Sequence, residues 1–193
     1  DVHAAPPLVY ARRCFPWRHA PHAFAQVKVA ASPSAPDILF RSPAAGALHL
    51  LVADHIVHDR VIFPAVGYLE MARAACEADA SRMRDVFFLQ PLAVEAAGLS
   101  IECAMAQGRF EVRASAEGTD VAVHCSGEVG VLALSPLADT GWAHRRSSCP
   151  RAVHTGELYS KLASVGLQYG PAFRLLMHAW GGGCRVHAVA RLR

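Results

Sequence analysis

Two histidines stand three residues apart in Asp54-His55-Ile56-Val57-His58-Asp59. An imidazole with an ordinary pKa of about 6.5 can take or release a proton near neutrality, so a histidine here is suited to act as a base. No Glu or third ligand completes a metal site around the pair. The chain has 11 histidines, so most of them are packed or solvated rather than reactive. His58 reads as a solvated neighbour in the turn. A second chemistry-bearing stretch is Gly166-Leu167-Gln168-Tyr169-Gly170-Pro171-Ala172-Phe173. Tyr169 can line a pocket, or its hydroxyl can close a loop; Gly170-Pro171 sets loop geometry. The six cysteines are Cys14, Cys76, Cys103, Cys125, Cys149 and Cys184. None forms a Cys-x-x-Cys pair or a cysteine-enzyme motif, so they read as free buried thiols in a reducing compartment.

The elements that must position His55 are legible around it. Leu48–Val52 reads as a strand end leading into Asp54-His55, with the histidine in a polar turn. A second apolar strand follows and stops at Pro64. A helix begins near Ala65–Tyr68 and runs over about 65–80, because a proline costs little just ahead of a first helical turn. Leu69, Ala72 and Cys76, and Tyr68, Met71 and Ala75, recur at helical spacing. Ala72, Ala74 and Ala75 let a sheet approach closely. The helix reads as apolar all round and wrapped by a sheet.

Strands account for most of the rest. Gln26–Ala30 and Ile38–Phe40 read as short strands around a Ser32-to-Pro36 loop. Met83–Leu92 holds a continuous apolar run at Val86–Leu89, typical of a strand covered on both faces. Leu99, Ile101, Cys103 and Met105 then alternate with polar or small residues. Phe110, Val112 and Ala114 do the same after Gln107-Gly108, and Val121, Val123 and Cys125 after Glu117–Asp120. Period two with glycine-bearing turns predicts an antiparallel meander over 99–106, 109–116 and 121–130, buried on one face. Residues 132–154 read as linker. Thr155–Val165 reads as a helix with Leu158, Leu162 and Val165 on its apolar face and Gly166 as its C-terminal cap. Phe173–Trp180 and Cys184–Leu192 read as strands joined by Gly181–Gly183.

Composition narrows the classes. The 193 residues are 53% hydrophobic and 18% charged, which favours a packed body over disorder. A net charge of +3, with Lys28 and Lys161 the only lysines, is too mild for a nucleic-acid binder. There is no signal-peptide pattern at Asp1 and no run of about 18 apolar residues that would span a membrane. The chain reads as an excised piece of a longer polypeptide.

The motifs also resemble a family. His55, Asp59 and Pro64, followed by Gly67-Tyr68-Leu69-Glu70-Met71-Ala72, are similar to the His-x3-Gly-x4-Pro pattern and helix of the dehydratase domain of modular polyketide synthases. Asp59 stands at the Gly position. Gly166–Phe173 resembles the family's Gly-x-x-Tyr-Gly-Pro-x-Phe, and His124–Val129 its His-Ala-x-Gly-x-Val strand, although a plain edge strand serves equally there. Phe15-Pro16-Trp17 resembles a triplet that follows acyltransferase domains. The family's His-Pro-Leu-Leu opener is not found.

The resemblance implies an α+β double hot-dog fold, an antiparallel sheet wrapped round a long central helix in each half. Residues 1–24 would be a post-acyltransferase linker, 25–131 the first hot-dog, 132–154 a linker, and 155–193 the start of a truncated second hot-dog. It implies that His55 is the catalytic base and that Asp59, Phe63, Pro64, Tyr169, Gly170 and Pro171 bind substrate, with no metal. The reaction would remove water from a 3-hydroxyacyl thioester to give the 2,3-unsaturated thioester. The family's acid lies on a Leu-Leu-Asp-type motif with no counterpart before Arg193, so the 193 residues alone are expected to be inactive. No cofactor would be bound directly; the substrate would arrive on the phosphopantetheine of an acyl carrier protein. Neighbouring synthase domains would be partners, a homodimer within the synthase is open, and the location would be cytoplasmic or an organelle stroma. Two alternatives share the sequence: a product-template-like cyclase or double-bond isomerase on the same fold, and a non-catalytic structural or acyl-binding remnant. A carboxylate at Asp59 is expected to favour the imidazolium form of His55 and impair it.

Overall fold

The computed structural model describes residues 22–29, 38–76, 81–116, 120–131, 146–182 and 188–192. The Phe15-Pro16-Trp17 triplet, the Ser32–Pro36 loop and residues 132–145 lie outside them. All pairings among the described strands are antiparallel. Six strands form the main sheet: β1 (Val27–Lys28), β2 (Ile38–Pro43), β5 (Ser81–Phe88), β6 (Ser100–Ala106), β7 (Arg109–Ser115) and β8 (Ala122–Val131), ordered β1-β2-β6-β7-β8-β5. The expected meander is β6-β7-β8. Its alternation is real: Ile101, Cys103, Phe110 and Val112 are at most 2% exposed, while Glu102, Glu111 and Arg113 lie between them on the other face. The pattern breaks in β8. A bulge shifts the register between Val112↔Cys125 and Arg113↔Val123, so His124 and Cys125 are both buried and Val121 is exposed.

The sheet curves over helix α2 (Ala65–Ala75). Tyr68, Met71, Ala72 and Ala75 are buried against it, and the two alanines allow the close approach. This is the hot-dog arrangement. The helix is shorter than the 65–80 expectation, ending at Ala75 with Cys76 as its C-cap, and residues 77–80 are not described. It is also one-sided. Val66 is 65% exposed, and Glu70 and Arg73 pair on the outer face. His22 adds a 3.0 Å hydrogen bond to Glu70, and the Phe24 ring sits edge-on to Phe63 at 5.8 Å, so the end of the N-terminal stretch docks on the helix.

Three readings are corrected. Leu48–Val52 is not a strand end but part of helix α1 (Gly46–Val52). Leu48 and Val52, four apart, are buried on one helical face, whereas Leu50 is 77% exposed. β5 is an edge strand and not covered on both faces: Phe87, Phe88 and Leu89 are all more than half exposed. Arg151–Val153, inside the stretch read as linker, is strand β9, paired with β11 (Leu176–Gly181), which also carries β12 (Ala188–Leu192). Ahead of β11, helix α3 (Thr155–Ser164) ends as expected at Gly166, at φ +91, whose N–H donates to Ala163. None of its residues is buried, and Val165 is 64% exposed. Pro171–Phe173 forms a 3-10 turn, so β11 starts after the expected Phe173.

Candidate active site

His55 opens β3 (His55–Val57), which forms a hairpin with β4 (Arg60–Val61). It is therefore in a strand, and the turn belongs to His58 and Asp59. Both have positive φ, 48° and 61°, the conformation a two-residue hairpin of this twist requires. Asp59 occupies the Gly position without breaking the turn, because aspartate tolerates the left-handed region better than most side chains. A third strand, β10 (Leu167–Tyr169), lies along β3 with Tyr169 opposite His55 and Leu167 opposite Val57.

The His55 ring is held on two sides. Its Nδ1 is 2.7 Å from the Ile62 carbonyl oxygen. A carbonyl only accepts, so Nδ1 carries the hydrogen, and the neutral ring keeps its lone pair on Nε2. Tyr169 stacks on the ring at 5.4 Å and 24°, and Phe173 approaches at 5.2 Å. Tyr169 and Phe173 are 6.2 Å apart, so the three rings form one cluster.

A cleft of about 410 Å³ opens beside the imidazole. His55, Ile62, Phe63, Ala65 and Tyr68 line one side, and Phe88 to Pro91 the other. Its lining is mainly apolar. Ala65 is the first residue of α2, whose N-cap, Pro64, provides no side-chain cap; the unpaired helical N–H groups start there. Phe63, 2% exposed, packs on Tyr68 at 4.8 Å. Gly67 makes room for it, since a Cβ there would lie 2.7 Å from Phe63 Cε1. Tyr68 is buried, its hydroxyl has no hydrogen-bond partner among the described residues, and His124 stacks parallel to its ring. Burial, and to a smaller degree the nearby Cys125 thiol, push the Tyr68 phenol well above its ordinary value of 10, so it stays protonated.

The structure brings some of the sequence-predicted residues together and separates others. His55 and Phe63 line the cleft, and Tyr169 packs on His55. Pro64 is a buried helix cap. Asp59 sits at the hairpin tip, two strand pairs beyond His55. Its N–H donates to Gln168 Oε1 at 2.8 Å and its Oδ1 accepts from Gln168 Nε2 at 2.6 Å. The carboxylate thus engages an amide on β10 rather than the imidazole, contrary to the expected approach. His58 is exposed, as expected; its N–H donates to Gly166 at 2.7 Å, and its ring covers the face where Gly166 lacks a Cβ. Gly170 and Pro171 form the turn that carries Phe173; Gly170 and Ala172 meet Asp54, and neither Gly170 nor Pro171 lines the cleft. Sequence reasoning missed Asp54, Tyr68, Gln168 and Phe173 as site neighbours. Phe173, inside the Gly-x-x-Tyr-Gly-Pro-x-Phe pattern, and Tyr68, inside Gly67–Ala72, gave a signal; Asp54 and Gln168 gave none.

The described residues contain no group of three His, Cys, Asp or Glu able to hold a metal, and no helix long and apolar enough to cross a membrane.

Comparison with known proteins agrees with this fold. Residues 25–118 match the model of the polyketide synthase dehydratase domain, and residues 137–193 that of the polyketide synthase dehydratase N-terminal domain. The chain belongs to the polyketide synthase dehydratase family. Polyketide synthase ThaG of Burkholderia thailandensis is 31% identical over 157 residues, 74% of this chain but 3% of that protein. Among solved structures, an inactive CurK dehydratase with a histidine replaced by phenylalanine is similar with a TM-score of 0.74 at 18% identity, over 83% of this chain and 62% of that one. An inactive CurK variant with an aspartate replaced by asparagine gives 0.72 at 20%, over 83% and 60%. The chain thus spans less than two thirds of those domains and a small part of the synthase.

Proposed function

We propose that this chain supplies the base half of a dehydratase that converts a 3-hydroxyacyl thioester, carried on the phosphopantetheine of an acyl carrier protein, into the 2,3-unsaturated thioester. The observation that carries the reading is the His55 Nδ1 bond to the Ile62 carbonyl beside an apolar cleft. It leaves Nε2 as the basic atom and an acyl chain's environment next to it. Nε2 takes the α-proton, and the C–H electron pair becomes the new double bond. The hydroxyl leaves from the β-carbon with a proton, as water. The α-proton is weakly acidic, so negative charge growing on the thioester oxygen must be met by donors. The N-terminus of α2 reaches the cleft at Ala65 without a side-chain cap, so the reading assigns those donors to its first N–H groups, ahead of the Gly67 N–H that already bonds Pro64. Hydroxide is a poor leaving group, and the reading assigns its proton to a carboxylic acid outside these 193 residues. That CurK dehydratases lacking a histidine or an aspartate are inactive supports a two-residue division of labour.

The test uses the full-length synthase polypeptide loaded with a 3-hydroxyacyl group on its carrier. Mass spectrometry of the released acyl group should show loss of one water and a 2,3-double bond. A shifted double bond with no loss of water identifies an isomerase, a ring a cyclase, and an unchanged 3-hydroxyacyl group a non-catalytic remnant. Each of those three outcomes overturns the proposal.

A further inference from the structure

The residue before the base makes two contacts that its sequence gave no reason to expect. Asp54 is half-buried, and it reads two consecutive donors of the Gly170–Phe173 turn. Its backbone oxygen accepts the Gly170 N–H at 2.8 Å, and its Oδ2 accepts the Ala172 N–H at 2.8 Å. Pro171, between them, has no N–H to offer. The Phe173 N–H closes the turn on Gly170 O at 3.0 Å. Every donor from 170 to 173 is thus used, two of them by Asp54. Gly170 is part of the same arrangement, because a Cβ there would fall inside the Asp54 carboxylate. The turn joins the two residues whose rings lie on His55: Tyr169 enters it from β10, and Phe173 leaves it.

We propose that Asp54 is a positioning residue for His55: its carboxylate holds the Gly170–Phe173 turn, and through it the Tyr169 and Phe173 rings, against the imidazole. The single Nδ1 bond to Ile62 leaves the imidazole free to tilt about that contact. The two rings fix its plane and so the direction of Nε2. The β10 strand is fastened at its middle residue by the paired Asp59–Gln168 contacts and just ahead of its start by the His58 N–H to Gly166, which leave the turn itself to Asp54. The inference rests on the reading of His55 as the base, but its first test does not require turnover.

The experiment records the imidazole proton resonances of His55 by NMR in the protein, with wild type compared to Asp54→Ala and Asp54→Asn. Next to two aromatic faces these resonances carry a ring-current displacement. Asp54→Ala should remove most of it. Asp54→Asn, which keeps an acceptor oxygen for Ala172, should retain it. In full-length synthase, Asp54→Ala should then lower kcat by about 10²-fold with KM little changed, the cost of a base misplaced by about 1 Å. Asp54→Asn should restore the rate. Gly170→Ala, which displaces the carboxylate from the other side, should reproduce Asp54→Ala and keeps the test decisive if that variant does not fold. Unchanged His55 resonances in folded Asp54→Ala or Gly170→Ala overturn the proposal. Shifted resonances in a synthase that never dehydrates leave the positioning intact and count against the dehydratase reading alone.

Discussion

Gly67 should be intolerant of a methyl group for a reason that lies in Phe63 rather than in the helix. In an open helical site, Gly→Ala stabilises by about 0.5–1 kcal/mol. Gly156 in α3 is such a site, with nothing within 4 Å of a Cβ placed there. At Gly67 the added Cβ would lie 2.7 and 2.8 Å from Phe63 Cε1 and Cζ. Carbon atoms rest at about 3.5–4.0 Å, so the ring must retreat by about 1 Å. It is 2% exposed and bounded by Phe24 at 5.8 Å and Tyr68 at 4.8 Å, so retreat disturbs two further rings. Overpacking of this kind costs about 1–3 kcal/mol. After the helical gain, Gly67→Ala should lose about 1–2 kcal/mol, a fall in Tm of about 2–8 °C for a chain of this size. Phe63→Leu, which shortens the side chain, should relieve the clash. The double variant should then be more stable than the sum of its parts by at least about 1 kcal/mol. Thermal and urea unfolding of the four proteins, with Gly156→Ala as reference, measure this cycle. If Gly67→Ala stabilises as Gly156→Ala does, or the cycle is additive, the packing argument fails.

Cysteine reactivity should follow burial: the thiols of Cys103 and Cys125 are pushed up to about 12 and about 11 by burial. In native protein at pH 8, mass-mapped iodoacetamide labelling should spare both, and buried Cys149, while half-buried Cys76 reacts first among the described thiols. Stability should fall as pH drops below about 4.5. The Glu70 carboxyl is held below its ordinary 4.5 by hydrogen bonding to Arg73, and Glu95 by hydrogen bonding to the Val61 N–H and Arg60. A carboxyl lowered in the folded state stabilises above its unfolded pKa and loses that contribution as pH falls through the folded value. Glu70, partly exposed, contributes about 0.3–0.5 kcal/mol, so Glu70→Gln should flatten the acid limb of a urea-midpoint-against-pH curve slightly; an unchanged limb refutes the assignment. The isolated 193-residue chain should self-associate, because edge strand β5 and the residue after it expose Phe87–Leu89, and the β9–β11–β12 sheet exposes Met177 and Leu192, with Leu175 exposed just ahead of it. Light scattering at micromolar concentration that reports a monomer contradicts this.

What the sequence made legible was what repeats. Leu99, Ile101, Cys103 and Met105 alternate over a strand with one buried face, and Phe110–Ala114 answers them across a Gly-containing turn. Helical spacing from Tyr68 to Ala75 placed α2. Short apolar runs were ambiguous. Leu48–Val52 suits a strand or a buried helical face, and the structure makes it helical, with only Leu48 and Val52 turned inward. The β8 bulge at His124 left no periodic trace, so the alternation was carried one pair too far. The motifs located His55 and the Tyr169–Phe173 segment, but not how they meet. Asp54 reaches Ala172 and Asp59 reaches Gln168 across more than a hundred residues of chain. Only the pairing of β10 with β3 makes those contacts visible.

The central claim is that Nε2 of His55 removes a proton from carbon. The most direct measurement is the single-turnover dehydration rate of a carrier-bound 3-hydroxyacyl group in full-length synthase, for wild type, His55→Gln and His58→Gln. Loss of a positioned general base should lower the His55→Gln rate by about 10²–10⁴-fold, while His58→Gln, exposed at the hairpin tip, should match wild type. A His55→Gln protein that dehydrates at the wild-type rate contradicts the account.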